Sequence, residues 1–310
     1  MLRSLLIVFC LTLFTVSGFT QAQAQTTNAC TTPNPAWVTG SSDHTLEHDG
    51  LTRRYVLYLP AGYDTTEPVP LILSLHGLAS NPGQQAIYSE WNTLADEHGF
   101  IVVYPQGTGL PLRWNSGLRL FESENNADDV AFLDTLIATL QTDWCIDPQR
   151  IYINGLSNGG GMSHRAACEL ADTIAAMGGV AGAYDRRPCT PARPVPVIAF
   201  HGTADRIVPY AGRGDAETGL PPVPQWAADW AARNACDPLP EALPTIGDAS
   251  AVRYGDCAAD AEVILYTLNG GGHTWPGGGE ISVFITGVTN RDIHASALML
   301  DFFLAHPLGE

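Results

Sequence analysis

The chain has 310 residues and a formal net charge of −17, with 15 basic residues against 32 acidic ones. Every basic residue is an arginine, and such an acidic surface disfavours binding to nucleic acid and to anionic membranes. The length suits one large domain or two small ones, and no linker-like stretch or internal repeat divides the chain.

The N-terminal segment at residues 1–24 is typical of an export signal. Arg3 supplies positive charge, residues 5–19 are mostly apolar, and Ala22-Gln23-Ala24 offers an Ala-x-Ala cleavage site. An uncleaved membrane anchor is the alternative, but the apolar run is short for a bilayer span. We therefore expect a secreted protein, extracellular or periplasmic, with an N-terminal arm at residues 25–52 and one catalytic domain at residues 53–310.

Seven cysteines are present, and only Cys10 lies inside the signal segment. An even number in an oxidising compartment favours disulfides, although several connectivities are possible. Proximity along the chain suggests the pairs Cys168–Cys189 and Cys236–Cys257, which leaves Cys30–Cys145 to hold the N-terminal arm. Zinc binding is the alternative interpretation, but no Cys-x-x-Cys pattern occurs.

Predicted strands and helices alternate along the chain, as they do in an α/β protein. Strands are predicted at residues 53–59, 71–75, 101–104, 151–154, 176–180, 195–200 and 263–268. Helices are predicted near residues 84–98, 129–142, 160–170, 225–234 and 293–305. Several strands are continuous apolar runs, which is typical of a parallel sheet covered on both faces. We expect a single domain built on a doubly wound, mostly parallel sheet.

The turn between strand 151–154 and helix 160–170 carries the pattern Gly155-Leu156-Ser157-Asn158-Gly159. A serine hydroxyl is a useful nucleophile only when it is held clear of the backbone and beside a general base. A tight strand-to-helix turn achieves this with a strained serine, and the two glycines leave room for the neighbouring backbone. Ser157 is therefore the candidate nucleophile, with an ordinary glycine-rich turn as the alternative.

Two loops that follow strands supply candidates for the partners of this serine. Asp205 lies in a loop after strand 195–200, where a carboxylate can orient an imidazole. His273 lies on a glycine-rich loop after strand 263–268 and is the candidate general base. The order Ser157, Asp205, His273 is that of α/β-hydrolases. The alternatives are a loop-capping aspartate and a surface histidine, with Asp172, Asp185 and Asp215 as rival acids.

Two backbone N–H groups are candidates for an oxyanion hole. One belongs to Asn158, directly after the nucleophile, and the other to Leu78 in the loop after strand 71–75. His76 and His201 are expected to shape their loops. No metal or organic cofactor is expected, and the acidic pair Asp128-Asp129 suits the first turn of a helix better than a metal site.

Three tryptophans are candidate substrate-binding residues. Trp275 follows His273 by two positions and must lie near the base, whereas Trp114 and Trp226 are candidates to line an acyl or aryl pocket. Tryptophans are large and apolar, so a place in the core is the alternative for the latter two.

Four motifs resemble those of the secreted polyhydroxybutyrate depolymerase/feruloyl esterase family. They are Leu75-His76-Gly77, Gly155-Leu156-Ser157-Asn158-Gly159-Gly160, His201-Gly202-Thr203-Ala204-Asp205 and Gly271-Gly272-His273-Thr274-Trp275-Pro276. The resemblance covers residues 53–307 and implies an α/β-hydrolase fold with Ser157, Asp205 and His273 as a catalytic triad. One departure is that many members carry Cys and Gln after the His-Gly pair, where this chain has Leu78-Ala79-Ser80.

The motifs and the resemblance together predict a serine esterase that forms an acyl-serine intermediate. Feruloylated polysaccharide, hydroxyalkanoate oligomers and acetylated sugars all remain open as substrates. A serine peptidase is disfavoured because the chain contains no propeller or other gating domain. An inactive exported binding protein is disfavoured because all three triad residues are present. Neither nucleic acid nor, after signal cleavage, a membrane is an expected partner.

Overall fold

The computed structural model describes Cys30 and residues 38–64, 66–118, 127–215, 219–279 and 283–309. The predicted signal segment at residues 1–24 lies outside this part of the chain, as does much of the predicted arm. Among the residues that are described, no helix is long and apolar enough to cross a membrane.

One sheet of ten strands organises the fold. In chain order the strands are β1 (Gly40–His48), β2 (Leu51–Leu59), β3 (Val69–Leu75), β4 (Ile101–Pro105), β5 (Ile146–Leu156), β6 (Ala176–Val180), β7 (Val197–Gly202), β8 (Glu241–Ile246), β9 (Ala249–Tyr254) and β10 (Val263–Leu268). Their order across the sheet is β1-β2-β4-β3-β5-β6-β7-β10-β9-β8. The strands from β4 to β10 in this order pair in parallel. The outer strands at both edges pair antiparallel.

Helices cover both faces of the sheet. They are α1 (Pro82–Ser89), α2 (Trp91–His98), α3 (Asp129–Asp143), α4 (Asn158–Glu169), α5 (Val223–Arg233), α6 (Val283–Thr286) and α7 (Ala295–Ala305). Alternate strand residues enter two separate cores because side chains on a strand point to opposite faces. Leu71 and Leu73 pack with α3, α4 and α5, whereas Ile72 packs with α2 and α7. The predicted doubly wound, mostly parallel sheet is confirmed.

The sheet edges differ from the prediction. Strand β1 lies inside the segment predicted as an N-terminal arm, and β8 and β9 form an antiparallel pair at the other edge. Burial along β1 alternates between half-buried and exposed positions, and β8 is almost entirely exposed. These strands lack continuous apolar runs because at least one face meets solvent, so the pattern that reveals the central strands is missing.

The helix predicted at residues 84–98 is two helices in the structure. Glu90 has φ 55°, in the left-handed region, and its N–H donates to the Ala86 carbonyl to close α1. The chain then turns so that Trp91, the first residue of α2, is fully buried. This break is decided by packing of the tryptophan rather than by helix propensity.

Three disulfides tie distant parts of the chain together. Cys168 bonds Cys189, Cys236 bonds Cys257, and Cys30 bonds Cys145, which is 115 residues further along. These are the pairs suggested by proximity. The long-range bond attaches the N-terminal segment at the start of β5.

Candidate active site

The Ser157 turn joins β5 to α4 and has the strained backbone that its glycines suggest. Ser157 has φ 57° and ψ −117°, a conformation that L-residues rarely adopt. A Cβ at Gly155 would lie 2.5 Å from the Gly159 backbone, and one at Gly159 would lie 2.3 Å from the Leu75 carbonyl oxygen. Both positions therefore need glycine because backbone passes too close for any side chain. The turn holds Ser157 at the carboxyl end of the parallel strands.

The loop after β3 lies directly against this turn. A Cβ built on Gly77 would be 3.4 Å from the Ser157 Cβ, so a side chain at position 77 would be in van der Waals contact with the serine. His76 is fully buried; its Nε2 accepts from the Gly107 N–H at 3.0 Å, and its Nδ1 donates to the Gly77 carbonyl at 2.8 Å. Burial lowers the pKa of His76 to about 4. A neutral His76 thus pins the loop, which fits the expected shaping role.

Both predicted oxyanion donors are near the nucleophile. Leu78 lies on the wall of the cavity that Ser157 lines, and Asn158 is the first residue of α4. The Asn158 side chain points elsewhere: its Oδ1 accepts from the Trp114 N–H at 2.7 Å, and its Nδ2 donates to the Ser116 hydroxyl at 3.1 Å. The backbone N–H group of Asn158, rather than its amide, is therefore the group to consider.

Asp205 and His273 are brought together by neighbouring strands. Asp205 follows β7 and His273 follows β10, and these two strands are paired in parallel. The His273 Nδ1 donates to the Asp205 Oδ2 at 2.7 Å. The other Asp205 oxygen accepts from the N–H groups of Ile207 and Val208 at 2.8 and 2.9 Å. Both oxygens of the carboxylate are thus fixed.

The environment of Asp205 favours its ionised form. Burial on its own would raise the pKa of Asp205, but hydrogen bonds from His201 and His273 outweigh that effect and hold the pKa well below its usual range. The His201 Nε2 donates to the Val208 carbonyl at 2.8 Å and lies 3.4 Å from the Asp205 Oδ2. A permanent carboxylate beside His273 can stabilise an imidazolium.

Ser157 and His273 line one cavity of about 750 Å³. Its apolar wall includes Leu118, Ala183 and Val208, which form a small cluster with Leu220 packed against it. Only Val208 adjoins a recognised motif in sequence, so the other three carried no signal that sequence reasoning could use. Arg213 and Asp215 also line the cavity and were not predicted to take part in binding.

The three tryptophans predicted to bind substrate are placed differently by the structure. All are buried and none lines the cavity. Trp114 donates to the His76 carbonyl at 2.9 Å, Trp226 donates to the His164 Nδ1 at 3.3 Å, and Trp275 donates to the Ser296 hydroxyl at 3.0 Å. Each indole N–H has a hydrogen-bond partner in the core, and none of the three side chains is placed to touch a ligand in the cavity.

The other acidic candidates have identifiable surroundings. Asp172 is exposed, and Asp185 lies 3.6 Å from the His164 Nε2 and 2.6 Å from the Arg187 Nε. Neither of these two is among the partners of His273. Asp128 caps α3 by accepting from the Ala131 N–H. No cluster of three or more His, Cys, Asp or Glu residues suited to a metal ion occurs in the described ranges.

Known proteins similar to this chain are esterases. A family model described as esterase PHB depolymerase matches residues 53–186. Feruloyl esterase B of Piromyces equi is 34% identical over 233 residues, which are 71% of this chain. These matches support the polyhydroxybutyrate depolymerase/feruloyl esterase family for this chain.

Another relative and a solved structure are also similar to this chain. A bifunctional acetylxylan esterase/xylanase of Neocallimastix patriciarum is 32% identical over 161 residues, or 52% of this chain. The match spans 42% of the Piromyces protein and 22% of the Neocallimastix protein, so much of each relative lies outside it. The structure of an acetyl xylan esterase from Aspergillus awamori aligns with a TM-score of 0.59 at 16% identity, covering 84% of this chain and 98% of that one. That likeness concerns the α/β-hydrolase fold.

Proposed function

We propose that this protein hydrolyses carboxylic esters through an acyl-serine intermediate, with Ser157 as nucleophile, His273 as general base and Asp205 as the orienting acid. One observation carries the proposal: a strained serine and a carboxylate-bound histidine line the same cavity. A histidine with a purely structural role in the core is not expected to line the same cavity as the serine of a strand-to-helix turn.

Each chemical step is assigned to a group in this cavity. The His273 Nδ1 is hydrogen-bonded to Asp205. The Nε2 of His273 is therefore the nitrogen that takes the Ser157 proton as the hydroxyl attacks the ester carbonyl. The imidazolium then protonates the departing alcohol. A water molecule, deprotonated by the same nitrogen, attacks the acyl-serine, and the imidazolium returns the proton to the Ser157 oxygen as the acid is released. The Leu78 and Asn158 N–H groups are assigned to the oxyanion of both tetrahedral intermediates.

The cavity supports bulky substrates. At about 750 Å³ it lies in the range of pockets that take drug-sized ligands, and an acetyl group would fill a small part of it. Its apolar wall suits an aryl or alkyl chain. The relatives named for feruloyl and acetylxylan esters make both groups candidates, and the cavity favours feruloyl or hydroxyalkanoate esters over acetyl esters.

Export is proposed on two grounds. The N-terminal segment has the features of a signal peptide, and all six cysteines outside it are joined in disulfides, which persist in oxidising compartments. The serine-peptidase alternative is addressed by the same assay as the esterase proposal.

The test is hydrolysis by wild type and Ser157→Ala of methyl ferulate, acetylated xylan, hydroxybutyrate oligomers and a peptide anilide. We expect ester turnover by wild type and a loss of at least about a thousandfold in Ser157→Ala, because triad members act as a unit. Ser41→Ala, an exposed serine on β1, is the matched control and should retain full activity. Retention of a tenth of the activity in Ser157→Ala would place the nucleophile elsewhere, and cleavage of the anilide alone would favour a peptidase.

A further inference from the structure

Arg213 lines the same cavity as the apolar residues Val208, Leu220 and Leu118, and its side chain is cationic. It is the only lysine or arginine among the cavity-lining residues that the structure describes. The protein has more than twice as many acidic as basic residues, so a cation at this position opposes the overall charge. A charged group beside an apolar wall is expected to bind something of opposite charge.

The fold does not require the Arg213 side chain. The backbone of Arg213 pairs with Leu220 in both directions, at 3.0 and 2.8 Å, and these two bonds hold the loop whatever the side chain is. The guanidinium itself makes one hydrogen bond, from Nη2 to the Ile207 carbonyl at 3.1 Å. That carbonyl belongs to the loop that carries Asp205, so the bond anchors the guanidinium beside the cavity.

The remaining guanidinium N–H groups have no carboxylate partner in the part of the chain that is described. Asp215 lines the same cavity, and none of the ion pairs between described residues joins it to Arg213. A guanidinium presents five donors in a planar fork that matches a carboxylate. Among the described residues, Arg213 therefore has guanidinium donors that no carboxylate occupies, and Arg213 lines the cavity where substrate would lie.

We infer that the esterase takes substrates that keep a free carboxylate, as the acid end of a hydroxyacid oligomer does, and that Arg213 binds this carboxylate. The inference rests on the proposed function and specifies its substrate. The apolar wall holds the short alkyl units of such an oligomer, and Arg213 fixes the charged end. Arg213 acts here as a specificity residue and takes no part in the chemistry at Ser157.

The test compares a hydroxybutyrate trimer that has a free carboxylate with the same trimer ending in a carboxamide, which removes the charge and keeps the internal esters. Release of hydroxybutyrate is followed by chromatography to give kcat and KM. Wild type should prefer the carboxylate in kcat/KM by about tenfold, the effect of one charge-assisted hydrogen bond at a partly exposed site. The preference should arise mainly from KM and should shrink at high salt, because salt screens exposed charges.

The variants separate charge recognition from a structural effect. Arg213→Gln should abolish the preference because cleavage of the carboxylate trimer falls by more than cleavage of the carboxamide trimer, whereas Arg213→Lys should keep part of it. Asp215→Asn should increase the preference because it removes a negative charge from the same cavity. Arg54→Gln, an exposed arginine on β2 outside the cavity, makes the same charge change and should alter neither substrate.

Four results would overturn the inference, and they are distinguishable. Equal cleavage of both trimers by wild type, or equal losses on both in Arg213→Gln, would remove the carboxylate role while leaving the esterase proposal intact. Failure of wild type to cleave either trimer while it hydrolyses methyl ferulate would exclude the oligomer class. Failure on every ester would refute the proposed function and this inference with it.

Discussion

The hydrogen bonds around Asp205 specify what Asp205→Asn would do to His273. One oxygen of the carboxylate accepts from the Ile207 and Val208 N–H groups, and the other accepts from His273 at 2.7 Å. An asparagine amide has only one oxygen, and its nitrogen can only donate. Since the two backbone groups also only donate, the amide oxygen must stay with them. Its NH₂ group therefore faces the His273 Nδ1.

This arrangement changes the tautomer of His273. Nδ1 must now accept a hydrogen bond, so the proton of the neutral ring sits on Nε2, which can no longer take the Ser157 proton. The charge that stabilises the imidazolium is lost as well. We expect kcat to fall by about 10³ to 10⁴, equivalent to about 4 to 5.4 kcal/mol of transition-state stabilisation, with KM nearly unchanged.

The assay is steady-state hydrolysis of 4-nitrophenyl butyrate by purified variants whose folding is checked by circular dichroism. Asp172→Asn makes the same chemical change at an exposed position and should keep near-normal kcat. The reasoning is refuted if Asp205→Asn stays within about tenfold of wild type while Asp185→Asn or Asp215→Asn proves inactive.

Two further predictions concern buried groups beside the site. Because folding lowers the pKa of His76 from 6.5 to about 4, only the unfolded chain binds a proton between these values. Protonation of His76 in the unfolded chain therefore leaves the free energy of unfolding unchanged above pH 6.5. It lowers that free energy by about 3 kcal/mol as the pH falls toward 4. Urea unfolding at pH 7 and at pH 4 measures this loss. Between these pH values the unfolding free energy of His76→Gln should fall by less than that of wild type. Equal decreases would contradict the lowered pKa of His76. Arg53 and Asp129 form a buried ion pair at 2.7 Å, so Arg53→Met should cost about 3 to 5 kcal/mol of unfolding free energy. The double variant Arg53→Met/Asp129→Leu should recover part of that loss, and a single-variant cost below about 1 kcal/mol would show that the pair is not needed.

The sequence by itself determined the centre of the fold. Strands β3, β4, β6 and β7 are buried on both faces, so most of their residues are apolar and the pattern is visible in the sequence. The Ser157 turn was equally predictable from the sequence, because the neighbouring backbone comes so close that only glycine fits at positions 155 and 159. Steric constraints in a turn and burial of a strand on both faces act on residues that are adjacent in the sequence, so both can be predicted from it.

Only the tertiary structure decided how Asp205 and His273 meet and what lines the cavity. The two residues are 68 positions apart and are joined because β7 and β10 pair, a choice of partner that no local pattern encodes. Trp114 and Leu118 show the same limit: both are apolar and close in sequence, yet one is packed in the core and the other lines the cavity. Burial in a core and burial against a ligand select the same side chains, because both remove apolar surface from water. Which of the two a residue serves depends on the elements packed around it, and those come from distant parts of the chain.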